Sequence, residues 1–441
     1  MRKIVLLVSM FAIAANMMAA DHVMAATKRA PKQEVPATLN LSLQEAQDYA
    51  VAQNRSLKNA DLAVQKAYAT RWQTIASMLP SVDMSWAYQS MMGYKMNFGV
   101  MPIEMPDNGT LGITASVGIN GQAIVGALLN NTAIEMQKLN LEISEDNLRA
   151  SVKSSYASVL VLEDVVKLLD SSLKNIENLA AMTQRSVEVG AAEQTTADQI
   201  LVRVNTLKNN INANKRSTQL AINALKVLLN VPAETELTLT TQLSDMLSAE
   251  AIVALLGKDF VLENNLSYQT LAKNVELAKK NVHMAGWAYG PTIGVGYQYS
   301  EKDYFGKKEG FNMTPPNALS IQVSMPLWSS GKRTAGVVEK KIALEEARNT
   351  FEETADNLGI QNEQLRYNLQ NAYETYTNEQ ENMGVTQRVF DNTSRKFQQG
   401  VASNLDLVNA SNDLITAQST YVQAVLTLVN AEVELEKFLN L

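Results

Sequence analysis

Two segments decide the fold: RSVEVGAAEQTTADQ at 185–199 and RKFQQGVASNLDLVN at 395–409, which align without a gap. Gly190 matches Gly400 in this alignment, at an offset of 210 residues. The match continues to the end of both copies, so the chain is internally duplicated. Two copies are too few for a solenoid, and the pattern predicts two related half-barrel units.

The duplication predicts the domain boundaries. The first repeat is expected at 27–230 and the second at 263–441, with a connecting, equatorial segment at 231–262. Each repeat should contain a helix, a strand pair, a long helix and a second helix. The strand pairs are expected at 80–120 and 291–328.

Composition excludes several classes of function. The chain has 441 residues, a hydrophobic fraction of 46% and a formal net charge of −7, which fits a folded protein and not a nucleic-acid binder. It has no cysteine and only two histidines, so disulfides, thiolate metal sites and Ser-His-Asp chemistry are not expected. No motif joins a carboxylate to a base, a nucleophile or a phosphate-binding loop. The sequence therefore predicts no enzyme, no cofactor and no metal site.

The N-terminus has the pattern of an export signal. Arg2 and Lys3 precede an apolar run at 4–15, and small residues follow at 19–20 and 25–26. An amphipathic helix is the alternative, but the apolar residues are continuous and not periodic. We predict a signal peptide at 1–20, with cleavage possible as late as residue 26.

Proline placement predicts two very long helices. No proline occurs at 107–231 or 327–441, and proline breaks helix interiors. The helix-favouring runs are 122–189 and 332–399, each of which would reach on the order of 100 Å. No single core is that wide, so we expect helices packed side by side in a rod or a tube.

The helix after Gly400 has two heptad seams, which is typical of a/d packing. The equivalent helix of the first repeat is weaker at Asn214 and Thr218. A structural coiled coil is the simpler interpretation of such a pattern taken alone. The seams of the second repeat are Leu407, Leu414, Tyr421, Leu428 and Leu435 beside Ala410, Ala417, Ala424, Ala431 and Phe438.

Four segments alternate between apolar and small polar residues, at 81–88, 111–119, 292–299 and 319–327. Each is close to the roughly 9–11 residues of a tilted transmembrane strand. Trp86 and Trp328 near the segment ends suggest positions at the membrane interface. A soluble four-stranded sheet packed on helices would show the same alternation and is the alternative.

Strands in lipid would require an oligomer. Four strands cannot close a membrane barrel, and open edges leave backbone groups unpaired at several kcal/mol each. Two copies would give eight strands and a filled lumen, whereas three would give twelve strands and room for an aqueous pore. The helices also have wet faces, with asparagines crowded at 209, 210, 212 and 214.

The chain resembles the TolC-type outer-membrane efflux proteins over essentially its whole mature length. The segments that carry the resemblance are LSLQEAQDYAVAQNRSL at 41–57, MLPSVDMSWAY at 78–88, GPTIGVGYQY at 290–299, VSMPLWSSGKRTA at 323–335 and FQQGVASNLDLVNASNDLITAQ at 397–418.

The resemblance implies a mainly α protein with a membrane β part. In that family a homotrimer with four strands per protomer builds a transmembrane β-barrel and a long periplasmic α-helical barrel. The implied function is a passive outer-membrane duct of a tripartite efflux or type I secretion system. Its partners would be outer-membrane lipid, a periplasmic adaptor and an inner-membrane pump of the RND, MFS or ABC class. The implied location is the cell outer membrane, extending into the periplasm.

The resemblance also implies a gate at the periplasmic end, near the turns at Gly190 and Gly400. Of two acidic constriction positions in the family, the first matches Asp406 and the second is Asn409 here. A trimer would place three Asp406 carboxylates in one ring, which would favour cations. The alternative is that Asp406 is a solvated or N-capping carboxylate near a helix start.

Polar links that close the family's gate are mostly absent from this sequence. Phe397 and Ala402 stand where the family has a tyrosine and an arginine. Thr195 matches a linking threonine, and Thr196 replaces an aspartate. The closed state would therefore be held by other contacts.

Adaptor docking is expected at the turns, within 189–194 and 399–404, and the extracellular loops at 91–110 and 301–317. The first loop contains methionines at 91, 92, 96, 101 and 105. Thioethers can bind Cu(I), but flexible apolar filler is the favoured interpretation.

The rival to a membrane duct is a soluble periplasmic coiled-coil adaptor or structural rod. Such a protein would share the helices but would lack four membrane-length amphipathic strands.

Overall fold

The computed structural model describes residues 37–99, 101–104, 106–190, 192–305 and 315–441. The predicted signal peptide lies outside the described residues. Two compact units are distinguished by their internal contacts. The strand unit contains Leu62–Lys138 and Thr270–Phe351, and the turn unit contains the described part of Lys32–Asp61, Leu139–Gln269 and Glu352–Leu441.

The described part of the first repeat contains five strands and four helices in chain order. They are β1 (Thr38–Leu41), α1 (Leu43–Gln53), α2 (Arg55–Ala76), β2 (Ser81–Gln89), β3 (Lys95–Phe98), β4 (Met101–Glu104), β5 (Asn108–Asn120), α3 (Gly121–Glu188) and α4 (Gln194–Leu229).

The connector and second repeat complete the chain. The connector contains β6 (Glu236–Leu239), α5 (Leu243–Met246) and α6 (Ala249–Leu256). The second repeat contains a 3-10 turn (Leu262–Asn264), α7 (Leu266–Gly286), a second 3-10 turn (Trp287–Tyr289), β7 (Thr292–Tyr304), β8 (Asn317–Ser324), α8 (Lys332–Gln398) and α9 (Asn404–Phe438).

The two long helices predicted from the proline-free stretches are confirmed. Helix α3 has 68 residues and α8 has 67, and each begins and ends within one residue of the predicted bounds. Gly126 in α3 and three glycines in α8 do not interrupt them, because an isolated glycine costs only about 1 kcal/mol in a helix interior.

The leucines of the α9 heptad seam are buried in the turn unit, whereas Ala417, Tyr421 and Ala431 are half-buried. Leu407, Leu414, Leu428 and Leu435 of α9 are all at most 2% exposed. In α4 no described residue between Ile211 and Leu225 is buried, as the weaker seam there predicts. The Thr218 hydroxyl donates instead to the carbonyl of Asn214 at 3.0 Å.

A small core joins the connector to the first repeat within the turn unit. Strand β1 pairs in parallel with β6, which the sequence analysis did not predict. Tyr156 of α3 is fully buried, and its hydroxyl donates to Leu41 O at 2.9 Å and accepts from Thr241 N at 3.1 Å. This single hydroxyl fixes the long helix to the paired strands.

Two details differ from the sequence-based expectations. The first helix of the first repeat is divided between α1 and α2 at Asn54, whose extended backbone ends α1. Strand β8 ends at Ser324, although the alternation continues to Leu327. Its neighbour β7 begins at Thr292, opposite Ser324, and so offers no partner to the residues that follow.

Candidate functional site

The strand unit contains one four-stranded antiparallel sheet in the order β2-β5-β7-β8. Its register places Val82 opposite Ala115, Ala115 opposite Tyr297, and Tyr297 opposite Leu319. Directly opposed residues project to the same face of an antiparallel sheet. The four alternating segments therefore share one continuous apolar face, as the lipid interpretation requires.

This apolar face is exposed on both outer strands. Met84 and Trp86 of β2 are 70% and 67% exposed, and Leu319 and Ile321 of β8 are 71% and 69% exposed. The strands have 9, 13, 13 and 8 residues, close to the length that crosses an outer membrane at a tilt. The apolar face comprises residues 82, 84, 86 and 88, then 111, 113, 115, 117 and 119, then 293, 295, 297 and 299, and finally 319, 321 and 323.

The opposite face is small and polar. Ser81 lies opposite Ser116, Ser116 opposite Gly296, and Gly296 opposite Ser320. Such a surface suits water and leaves room for a lumen. Within the described part of the chain, the outer edges of β2 and β8 have no neighbouring strand.

The sheet is joined to α3 by a tight aromatic contact that the sequence analysis missed. Trp287 lies so close to Gly121 that a Cβ on Gly121 would come within 2.1 Å of the indole ring. A Cβ on Gly290 would lie 2.8 Å from the same ring. The only sequence signal is the position of both glycines, one at each junction between strand and helix.

The two predicted turns have the same backbone conformation. Gly190 and Gly400 both have φ of 75°, in the left-handed region that favours glycine. The Gly190 amide donates to Val187 O and the Gly400 amide to Phe397 O, both at 2.9 Å. Each glycine thus ends one helix and starts the reversal into the next, as predicted.

The second turn carries a complete capping box around Asp406. The Asp406 amide donates to Ser403 Oγ at 3.2 Å, and Asp406 Oδ2 accepts from the Ser403 amide at 3.0 Å and its hydroxyl at 2.7 Å. The bond from the Ser403 hydroxyl, and to a smaller extent the bond from its amide, hold the pKa of the Asp406 carboxyl below its usual value. The capping role weighed as the alternative for Asp406 is therefore present in the structure.

The first turn has no such box. Glu193 stands at the N-cap of α4 and makes no side-chain capping bond there, and Thr196 occupies the position equivalent to Asp406. The Thr195 hydroxyl instead donates to Glu193 Oε2 at 3.2 Å. Helix α9 is consequently better capped than its repeat partner α4.

The remaining gate candidates fall on different surfaces. Phe397 is half-buried against an apolar cluster that contains Leu407 and Ala410. Asn409, like Asp406, is exposed, whereas Ala402 and Thr196 are half-buried. The structure thus groups the exposed Asp406 and Asn409 on one turn of α9 and assigns Phe397 to packing.

The predicted loops are partly described. A hairpin of β3 and β4 occupies the first loop, and β7 continues to Tyr304 in the second. Met105 of the methionine-rich loop lies outside the described residues. Among the described residues, no group of three histidine or acidic side chains could hold a metal ion. No helix in that same part of the chain is long and apolar enough to cross a membrane.

Comparisons with known proteins agree with this geometry. The family described as outer membrane efflux protein matches residues 47–231 and 259–441. The outer membrane efflux protein BepC of Brucella suis is 23% identical over 301 residues, 66% of this chain, and the chain spans 63% of BepC's own length. The toluene efflux pump outer membrane protein TtgC of Pseudomonas putida is 23% identical over 430 residues, 90% of this chain and 83% of TtgC.

The fold is also that of a solved outer-membrane channel. The structure of CusC aligns with a TM-score of 0.75 at 16% identity, covering 93% of this chain and 98% of CusC. The mainly helical fold with a β part is thereby confirmed, and so is the outer-membrane location. This family consists of efflux channels and not of enzymes. Both halves of the duplicated chain match its sequence pattern, and the chain belongs to the outer membrane efflux protein family.

Proposed function

We propose that the protein is a passive trimeric outer-membrane duct. Three copies would pool their four strands into a closed twelve-stranded barrel, and their helices would form a continuous tube in the periplasm. The duct would receive substrates from an inner-membrane pump through a periplasmic adaptor, in a tripartite efflux or type I secretion system. The turns at Gly190 and Gly400 would meet the adaptor, and the Asp406 carboxylates would form a ring at the periplasmic opening.

One observation carries the proposal: the sheet has a continuous apolar face and two edges that no strand of the described residues covers. In lipid, each unpaired backbone group at those edges would cost several kcal/mol. Strand β2 leads away from helix α2 and β8 leads back toward α8, so the two edges run in opposite directions. Edges of two copies can therefore pair antiparallel, and the sheet closes when enough copies assemble.

A soluble adaptor or rod is the weaker candidate. Such a protein would have to cover the apolar face with its own helices. Here Leu319, Ile321 and Val323 remain about two-thirds exposed.

Adjacent substitutions on β8 test the lipid contact. Ile321 belongs to the apolar face and Gln322 to the polar face. Ile321→Lys should cost about 2–4 kcal/mol near the bilayer midplane, whereas Gln322→Lys should be tolerated. The measurement is the amount of trimer recovered from outer membranes by detergent extraction and native mass determination.

The proposal predicts that Ile321→Lys loses the trimer while Gln322→Lys and the wild type retain it and conduct ions in planar bilayers. Equal recovery of both variants, or recovery of a wild-type monomer in the soluble periplasmic fraction, would refute the duct.

A further inference from the structure

The segment that follows β8 is apolar, exposed and without a strand partner in the described residues. Met325, Leu327 and Trp328 are 60%, 90% and 85% exposed. Met325 and Leu327 continue the alternation of β8, although the strand ends at Ser324. The sequence has the pattern of a strand here, and the described residues of one copy supply no strand to pair with it.

Internal duplication identifies the equivalent segment in the first repeat. Ser81, the first residue of β2, pairs with Ser116 of β5, and Thr292, the first residue of β7, pairs with Ser324 of β8. Ser324 therefore corresponds to Ser116. Beyond that point β5 continues for four residues, 117–120, and the four residues after Ser324 are 325–328.

Residues 117–120 are paired because another strand begins beside them. They lie opposite 292–295, the first residues of β7. Strand β2 is equivalent to β7, and within one copy it lies at the far edge of the same sheet. The strand that could receive 325–328 in the equivalent way is thus β2 of another copy.

We propose that Met325–Trp328 becomes part of β8 when the trimer forms, by pairing with Ser81–Met84 of the second copy. The register places Trp328 opposite Ser81 and Ser324 opposite Ser85 of the second copy. This inference rests on the proposed trimer and specifies its β interface. The last four residues of the strand then acquire their β partner from the assembly and not from their own chain.

Backbone hydrogen bonding on β8 supports the register. Ser300 N donates to Pro316 O at 2.9 Å, so residue 316, just before β8, is hydrogen-bonded to β7. Every second residue after it, that is, each even-numbered residue of β8, therefore directs its backbone groups to β7. Backbone groups alternate in direction along an antiparallel strand. Met325 and Leu327 therefore direct their N–H and C=O groups to the open edge.

The proline in this segment fits the same arrangement. Pro326 faces away from the open edge, so its missing N–H costs no bond to the second copy. Its carbonyl accepts from Arg333 Nη1 at 2.7 Å, which fixes the segment within one copy.

Strand β2 presents the matching alternation. Phe305 N donates to Asp107 O at 2.8 Å, so the odd-numbered residues of β5 bond to β7 and its even-numbered residues bond to β2. Even residues of β5 lie opposite odd residues of β2. Even-numbered residues of β2, among them Val82 and Met84, thus direct their backbone groups to the open edge.

Side-chain faces agree with the backbone. The register sets Leu327 against Val82 and Met325 against Met84 of the second copy, which continues the apolar face around the assembly. A shift by one residue would invert every side chain. The competing registers consequently differ by an even number of residues. Shifts of two and of four residues would place Gln322 and Ser320, respectively, opposite Ser85 of the second copy.

Disulfide trapping separates these registers, because the protein has no cysteine. Ser85→Cys is combined with Ser324→Cys for the proposed register, with Gln322→Cys for the first competitor and with Ser320→Cys for the second. In all three variants the paired residues would be non-hydrogen-bonded neighbours with Cα atoms about 4.5 Å apart, within disulfide range. Within one copy β2 and β8 are three strand spacings apart, about 14 Å, so any disulfide joins two copies.

We expect oxidised outer membranes of the Ser85→Cys/Ser324→Cys variant to lose the monomer band in non-reducing gels and to give covalent dimers and trimers. The competitors should retain the monomer. Ala87→Cys/Gln322→Cys reports the same register and serves if the first variant fails to assemble. Crosslinking only in a competitor, or trimers in detergent that crosslink in none of the variants, overturns the register and leaves the duct intact. Monomers in detergent for the wild type overturn both.

Discussion

Asn54 and Asn230 each bond a backbone carbonyl close to the other in sequence. Asn54 Nδ2 donates to Leu228 O at 2.9 Å, and Asn230 Nδ2 donates to Gln53 O at 3.2 Å. Asn54 Oδ1 also accepts from the amides of Ser56 and Leu57, the first turn of α2. The Asn54 side chain therefore bonds one carbonyl in the last turn of α4 and the first amides of α2.

The second repeat has the same pair. Asn265 Nδ2 donates to Phe438 O at 3.1 Å, and Asn440 Nδ2 donates to Asn264 O. Asn230 and Asn440 also share a left-handed φ of 55°. The duplicated pairs join helix ends, α4 to α2 and α9 to α7, in the same way.

Removing one of these amides should destabilise the turn unit. Asn54→Ala deletes the N-cap of α2 and leaves the Leu228 carbonyl without its donor. We expect the free energy of unfolding to fall by about 1–2 kcal/mol. Asn223→Ala is the control, since Asn223 is an exposed side chain on α4 that accepts only from Gln219 among the described contacts. Thermal unfolding followed by circular dichroism should show a lower midpoint for Asn54→Ala alone; equal midpoints would count against the role of the pair.

A methyl group at Gly121 should disturb the junction between sheet and helix. The added carbon would lie 2.1 Å from the Trp287 ring, so we expect the free energy of unfolding to fall by about 1–3 kcal/mol. Gly118→Ala is the matched control, because a Cβ there meets no atom within 4 Å. Tryptophan emission and the unfolding midpoint should change in Gly121→Ala only, and an unshifted midpoint would contradict the contact.

Lys153 should be more important than the exposed lysines. Its Nζ lies 2.9 Å from Glu432 Oε1 and 2.7 Å from Glu436 Oε2, and the Glu432 side chain is only 8% exposed. Burial raises the pKa of Glu432, and the charge of Lys153 opposes that rise. Lys153→Met leaves a buried carboxylate uncompensated, which costs about 3–5 kcal/mol.

The control for that substitution is Lys167→Met, because the Lys167–Asp164 pair is largely exposed. Such surface pairs contribute about 0–1 kcal/mol. The loss in Lys153→Met should shrink in acid, where protonation removes the uncompensated charge. An equally small loss for both variants at neutral pH would show that Lys153 is dispensable.

Acid should weaken the ion pairs that Glu276 makes along α7. Glu276 accepts from Lys280 and Lys273, which lower the pKa of its carboxyl to about 2. A depressed carboxyl pKa contributes stability that is present above the usual value of 4.5 and is lost as the pH falls toward 2. Glu276→Gln should therefore reduce the change in unfolding midpoint between pH 4.5 and 2, and the exposed Glu353→Gln should not. An unchanged acid profile in Glu276→Gln would exclude this carboxyl as the cause.

Asp406 is expected to select cations at the periplasmic opening. Asp406→Asn removes the proposed ring of charge, whereas Ser403→Ala removes its capping partner and keeps the charge. Reversal potentials in planar bilayers should move toward lower cation preference for Asp406→Asn and stay unchanged for Ser403→Ala. If Ser403→Ala has the larger effect, the carboxylate acts by capping α9 and not by lining the pore.

Local patterns predicted most of the fold. Proline-free runs and period-two alternation predicted the long helices and the four-stranded sheet, because both signals repeat every few residues. An N-capping role was weighed for Asp406, but the S-x-x-D spacing from Ser403 to Asp406, which is the signal of the whole capping box, was not used. The arrangement of the candidate gate could not be predicted from the sequence of one chain, because the distance between Asp406 side chains depends on how several copies assemble.

Long-range contacts could not be predicted, because they produce no repeating pattern of residues in the sequence. Nothing near Thr38–Leu41 indicates its parallel partner almost two hundred residues later. The asparagine pairs did leave a signal, since Asn54 and Asn265 recur at the spacing of the two prolines that open the strand pairs, 80 and 291. Trp287 could have been suspected only by knowing which glycines it would approach.

The unequal capping of the two helix turns has a consequence for symmetry. A ring of six identical hairpins would offer one kind of tip to anything that docks there. Here one polypeptide joins a hairpin capped by Ser403 to one that begins at Glu193 without a side-chain cap. In the proposed assembly, turns with a side-chain cap and turns without one alternate around the periplasmic opening. A ligand with threefold symmetry can distinguish one set of turns from the other.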